Sequence, residues 1–238
     1  MTSSDAPSFA DAWAAAQTVT GWMTQEQGRL LWDAAMALGP GATIVEIGSH
    51  QGRSTVILGR AAQHVGARVV AIDPFVEGRL FGGQPTRTIF EKNVREAGLD
   101  DVVELRPTYS TELRPTWSGS IDLLYIDGKH DYWTVTDDFK WAEHVVPDGA
   151  VLVHDCYSSI GVTLSVLAHV LPGRSLRYES RGGSMALFRV GDNDADSRRR
   201  IVAELPWWLR NVGIKVLLRA RLRPIAAKFG HDGPYDPY

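Results

Sequence analysis

Asp127, His130 and Asp155 carry the side chains in this sequence best suited to holding a cation and moving a proton. Asp127 ends the apolar run "SIDLLYID" (120–127), Asp155 ends "GAVLVHD" (149–155), and His130 follows three residues after Asp127. Two carboxylates brought to one place repel unless positive charge sits between them, and a hard divalent cation is the usual solution. A neutral imidazole accepts a proton near pH 7, which makes His130 the candidate general base. Taken singly, the aspartates read equally well as strand-end caps and the histidine as a helix cap.

The elements that must position these groups follow from periodicity. From Thr24, "TQEQGRLLWDAAMAL" opens with a capping box, Thr24 and Gln27, and places Leu30, Leu31, Ala34 and Leu38 on one helical stripe. Apolar runs at 42–48, 67–73, 101–105, 120–127 and 149–155 then alternate with helical segments near 53–65, 86–97, 132–145 and 159–170. Their continuous apolar character predicts parallel strands covered on both faces. Two further runs, 175–180 and 184–190, are joined by Arg181, Gly182 and Gly183 and predict an antiparallel hairpin. The expected fold class is α/β: a Rossmann-like, doubly wound, mostly parallel seven-stranded sheet with an antiparallel C-terminal hairpin and helical N- and C-terminal additions. In such a sheet the carboxyl ends of the strands face one crevice, so Asp127 and Asp155 should meet there.

After the first strand comes "VEIGSHQGRST", whose glycines, Gly48 and Gly52, do not have the three-glycine spacing of a dinucleotide fingerprint. The E-x-G-x-x-x-G pattern, with Asp73 at the end of the second strand, resembles the class I S-adenosylmethionine (SAM) methyltransferases. The resemblance implies that Glu46, Gly48, Ser49, Gly52 and Ser54 frame SAM and that Asp73 accepts from the ribose hydroxyls. It also implies that Ser110 touches the adenine side and that Asp127 borders the cofactor.

"IDLLYIDGKHDYWTVTDDF" and "PDGAVLVHD" further resemble the metal-dependent O-methyltransferases, both the catechol type and the antibiotic-sugar type of macrocin and mycinamicin methyltransferases. The resemblance runs from about 40 to 190. It implies Mg2+ or another divalent cation on Asp127 and Asp155, and His130 as base. Where the catechol type has asparagine this chain has Cys156, a poor ligand for a hard cation. His154 stands where some relatives place a metal-binding glutamate. The implied activity is methylation of a hydroxyl on a sugar or saccharide. A phenolic or catechol acceptor, or a diverged non-catalytic SAM-binding module, is the alternative.

Composition narrows the remaining classes. With 44% hydrophobic and 22% charged residues, disorder is not expected, and a net charge of −3 gives no overall pull toward nucleic acid. One cysteine excludes an internal disulfide. The N-terminus lacks a secretory pattern and no apolar run approaches the ~20 residues of a membrane span, so a cytoplasmic homo-oligomer is expected. "PFVEGRLFGGQPTR" (74–87) reads as a lid, and Tyr132, Trp133 and Tyr157 as aromatic surface near the reacting centre. Trp133 and Trp141 could instead be core, and Asp137 and Asp138 read as a solvated helix face. The methyltransferase unit is expected over 1–190 and a basic helical tail over 191–238. Within the tail, 206–229 pairs tryptophans with arginines and could lie on anionic lipid, or pack on the domain or a second subunit.

Overall fold

The computed structural model describes residues 8–77 and 82–231 of the 238. Five parallel strands form its centre: β1 (Thr43–Ile47), β2 (Arg68–Ile72), β3 (Val103–Arg106), β4 (Ile121–Ile126) and β5 (Val145–Val153). The hairpin β6 (Leu176–Gly182) and β7 (Met185–Val190) completes a seven-stranded sheet of order β3-β2-β1-β4-β5-β7-β6, with β7 antiparallel to both neighbours.

Successive residues of a strand point to opposite faces, and here both faces are apolar. Ile44, Val69, Ala71, Leu123, Tyr125 and Leu152 enter one core, against helices α1 (Phe9–Gln17), α2 (Gln25–Met36) and α3 (Arg53–Val65). Val45, Ile47, Val70, Leu124, Ile126 and Val151 enter the other. This is the physical reason the central strands read as unbroken apolar runs rather than alternating ones.

The remaining helices are α4 (Gly83–Glu96), the short α5 (Ser110–Leu113), α6 (Tyr132–Phe139), α7 (Ile160–Ser165), α8 (Ala195–Ala203), α9 (Leu205–Arg219) and α10 (Arg223–Lys228). The capping box forms as expected, with Thr24 Oγ1 accepting from Gln27 N and Gln27 Oε1 accepting from Thr24 N. Helix α4 starts three residues earlier than expected; part of the lid segment, 78–81, lies outside the described residues. Helix α6 stops at Phe139 and passes into a tighter turn over 140–144.

Two expectations about individual residues are overturned by burial, and one left open is decided. Asp138 is 1% exposed rather than solvated, and Tyr157 is fully buried, so it offers no surface to a ligand. Of the two tryptophans, Trp141 is core whereas Trp133 is 76% exposed. Asp155 also lies beyond the end of its strand: β5 closes at Val153, and Asp155 sits in the following turn with φ +54°.

Candidate active site

β1, β4 and β5 are adjacent, and their carboxyl ends build the site. Asp127 N donates to Ile47 O at 2.8 Å and His154 N to Ile126 O at 2.9 Å, so each residue is placed by the last rung of a ladder. His130 reaches back from the loop before α6, with Nδ1 3.1 Å from Asp155 Oδ2 and Nε2 3.4 Å from Asp127 Oδ1. His154 Nδ1 lies 3.1 Å from Asp127 Oδ1 and 3.6 Å from Asp155 Oδ1. The expected meeting of the two strand-end acids is therefore present, and two imidazoles stand between them.

Charge in this cluster is strongly coupled. Burial would raise both carboxyls, but the facing imidazoles outweigh it and hold Asp127 and Asp155 below the usual carboxylate range. Burial would lower His130, yet its bonds to the two carboxylates push it up to about 10. His154 is raised by the same carboxylates. The arrangement thus differs from the neutral base read from the sequence: without another cation, His130 is protonated and donates.

Ligand atoms of Asp127, His130 and His154 all fall within 4.8 Å of one another, a spacing one ion can span. His154 is 3% exposed and neither ring nitrogen makes an aligned hydrogen bond, although Nδ1 is at contact distance from Asp127. A buried imidazole left in this condition, beside two carboxylates, fits a divalent cation. The mixed oxygen and nitrogen set accepts Mn2+ at least as readily as Mg2+.

Asp155 is held from behind. Its Oδ1 accepts from Ser158 Oγ at 3.1 Å and Ser184 Oγ at 3.2 Å, and Ser184 Oγ accepts from the fully buried Gln27 Nε2 at 2.7 Å. Asn211 of α9 donates to the Tyr157 carbonyl at 3.2 Å, bracing a residue that also has positive φ, +62°.

The turn after β1 forms the opposite wall. Gly48 has φ +88°, and a Cβ there would fall on the Asp127 carbonyl, so the close approach of β1 and β4 itself demands glycine. Gly52 caps α3 with φ +92° and no side chain caps the helix, which leaves first-turn N–H groups for an anion. Arg53 begins that helix and donates to Gly21 O at 2.5 Å. Ser49 and Ser54 line the cleft. Glu46 does not: it is fully buried, and its carboxylate accepts from Ser54 and from Thr55 at 2.5 Å, so it shapes the start of α3 from beneath.

Asp73 accepts one backbone N–H at each oxygen, from His50 at 2.9 Å and Phe75 at 2.8 Å, and keeps lone pairs for further donors. Ser110 donates to Asp138 Oδ1 at 2.6 Å. The cleft wall that sequence reasoning missed is the segment Thr20, Gly21, Trp22 and Met23, where Trp22 is 49% exposed with its ring 5.4 Å from that of His50. The nearby capping box at Thr24 was its only signal.

A family model described as a methyltransferase domain matches residues 45–156. The uncharacterized protein y4gI of Sinorhizobium fredii is 29% identical over 118 residues, which cover 47% of this chain and 13% of that protein. Cofactor-bound Rv0187 from MTB superposes with a TM-score of 0.60 at 19% identity, covering 82% of this chain and 94% of that one. An O-methyltransferase from Bacillus cereus in complex with SAH gives 0.58 at 20% identity, covering 77% and 89%. TomG, an O-methyltransferase from Streptomyces achromogenes in complex with SAM, gives 0.58 at 20% identity, covering 81% and 92%. At these identities the solved structures speak for the fold, and the family model for the segment that bears the site. Residues 45–156 are thus similar to a methyltransferase domain, and the chain has the Rossmann-like fold of the solved methyltransferases.

Proposed function

We propose that the chain is a SAM-dependent O-methyltransferase that uses a divalent cation to methylate a hydroxyl of a sugar or saccharide. The observation that carries this reading is the cluster at the ends of β4 and β5, across from the glycine turn after β1: Asp127, His130 and His154 bring ligand atoms within one ion's span, and His154 also lies beside Asp155. The SAM and SAH named with similarly folded O-methyltransferases support the choice of methyl donor.

In this reading Asp73 receives the ribose hydroxyls on its remaining lone pairs. The uncapped start of α3 and Arg53 receive the donor's carboxylate, within the turn shaped by Gly48, Ser49, Gly52 and Ser54. Glu46 acts on the donor only through α3, and Ser110 marks the adenine side with its hydroxyl already given to Asp138. Asp127, Asp155 and His154 would hold a cation, which supplies positive charge that acidifies an acceptor hydroxyl. With that charge present the carboxylates no longer need a protonated imidazole, and His130, 40% exposed at its side chain, takes the hydroxyl proton at Nε2. Holding acceptor and donor in line provides the remainder of the rate enhancement.

The half-exposed face of Trp22 beside polar His50 and Asp127 suits a sugar ring, which offers an apolar face and a polar edge. Division into a catalytic unit, 1–190, and a tail, 191–238, belongs to the same proposal, supported by the sheet's last strand ending at Val190. So do a cytoplasmic setting and a homo-oligomer that binds no nucleic acid.

The test is methyl transfer from SAM to a panel of saccharides and catechols, with and without EDTA. Saccharide methylation that EDTA stops is expected, and His130→Ala should lower kcat by about 100-fold or more while SAM affinity holds within about twofold. Turnover of catechols alone would overturn the acceptor. Full activity in EDTA would remove the cation, and SAM binding without turnover on any acceptor would remove catalysis.

A further inference from the structure

We propose that the outward side of α9 and α10 is a docking surface for an anionic lipid bilayer. α9 stands on the body through fully buried Asn211 and Ile214, with Trp207 and Trp208 packed against the core and Arg181 stacked 4.1 Å over the Trp207 ring. The paired tryptophans therefore face inward, and the surface has to be judged on what remains outside.

Helical spacing puts Leu209, Gly213, Val216 and Ala220 on the side of α9 away from Asn211 and Ile214. Leu209 is 62% exposed and Val216 61%; on the segment that follows, Leu222 is 43%, Ile225 41% and Phe229 57% exposed. Arg210 ties the two helices together by donating to the carbonyls of Phe229 and Gly230. Arg210, Arg219, Arg221, Arg223 and Lys228 are exposed along the same segment, whereas half-buried Lys215 acts on Asp155, and no aspartate or glutamate lies between Leu205 and Lys228. The chain as a whole carries −3, so its acidic groups are gathered on the rest of the molecule.

Charge decides the occupant. A second copy joined about a two-fold axis would set five exposed cations against the same five, which is unfavourable. Nucleic acid would satisfy the cations but leave Leu209, Val216 and Phe229 in water. An anionic bilayer takes both, with the aliphatic groups and the ring in the headgroup boundary and the guanidinium groups on lipid phosphates. Because Asn211, on the body side of α9, holds the Tyr157 carbonyl beside Asp155, docking would set the turn after β5 one helix away from the bilayer where an amphiphilic acceptor gathers. That last consequence rests on the methyl-transfer reading; the docking itself does not.

The experiment is co-sedimentation of the full chain with vesicles of phosphatidylglycerol and phosphatidylcholine, and with phosphatidylcholine alone. Binding to the first, not the second, and its loss at high salt are expected. Leu209→Glu with Val216→Glu, and separately Arg219→Glu with Arg223→Glu, should each weaken binding about tenfold or more. Both variants should keep the wild-type unfolding midpoint and wild-type methyl transfer to a water-soluble acceptor. Wild-type chain that stays in the supernatant with phosphatidylglycerol vesicles would overturn the proposal. So would a dimer, seen by light scattering, that Leu209→Glu with Val216→Glu dissociates, or binding of single-stranded RNA in place of vesicles.

Discussion

The turn after β1 and the turn after β5 face each other across the cleft, and both put residues in the left-handed region, but they do so by different means. After β1 two of the three left-handed residues are Gly48 and Gly52, at φ +88° and +92°, which adopt that conformation without a Cβ penalty; the third, His50 at +47°, is held by its N–H on Asp73. After β5 the residues are Asp155 and Tyr157, at φ +54° and +62°, where a side chain makes the conformation costly. The second turn holds because its surroundings over-determine it: Ser158 and Ser184 on the carboxylate, and Asn211 on the Tyr157 carbonyl. One wall is fixed by what is missing from a residue, the other by partners from β7's approach, α2 and α9.

This contrast can be broken most sharply at Gly48. Gly48→Ala places a methyl group on the Asp127 carbonyl at positive φ, so β1 and β4 must separate. A loss of about 4 kcal/mol or more in denaturant unfolding is expected, with turnover lost as well.

The next effect comes from the acid beneath that wall. Burial, helped by the charge of Asp127, pushes Glu46 from 4.5 up to about 7 against the hydrogen bonds from Ser54 and Thr55. Its folded pKa lies above its unfolded one, so between these values the native state holds the extra proton and stability from this group falls as pH rises. Glu46→Gln removes that dependence. The variant's stability relative to wild type should improve by roughly 3 kcal/mol from the acid to the neutral end of the window, measured by urea unfolding across pH.

Smaller changes probe the other wall. Ser184→Ala leaves the buried Gln27 amide without its acceptor and Asp155 without one donor, for about 1–3 kcal/mol. Asn211→Ala should cost about 1 kcal/mol. If the β5 turn is held as described, both variants lower kcat while SAM affinity, which the proposed function assigns to the β1 wall, stays near wild type. Equal losses in both quantities would show the two walls are not independent.

The same contrast explains what the sequence disclosed. Gly48, Gly52, Asp73 and Asp127 were legible because glycine at a strand end and an acid closing an apolar run leave local signatures. The sheet was legible because both faces of its central strands are apolar. The β5 turn was not: a left-handed Asp-Cys-Tyr has no marker in composition, since its support arrives from Ser184 and Asn211, distant in the chain. Asp138 was misread as solvated for a similar reason, because Ser110 and the loop over it come from other elements. His130 lies beside the two aspartates, but its charge depends on carboxylates whose distances no sequence states.

The central claim is that Asp127, Asp155 and His154 form one cation site, and calorimetric titration of Mn2+ into EDTA-stripped protein tests it most directly. One ion bound per chain, with affinity reduced about 100-fold or more in both Asp127→Asn and Asp155→Asn, is the predicted result. No binding to the wild-type chain, or binding that both substitutions leave unchanged, would contradict it.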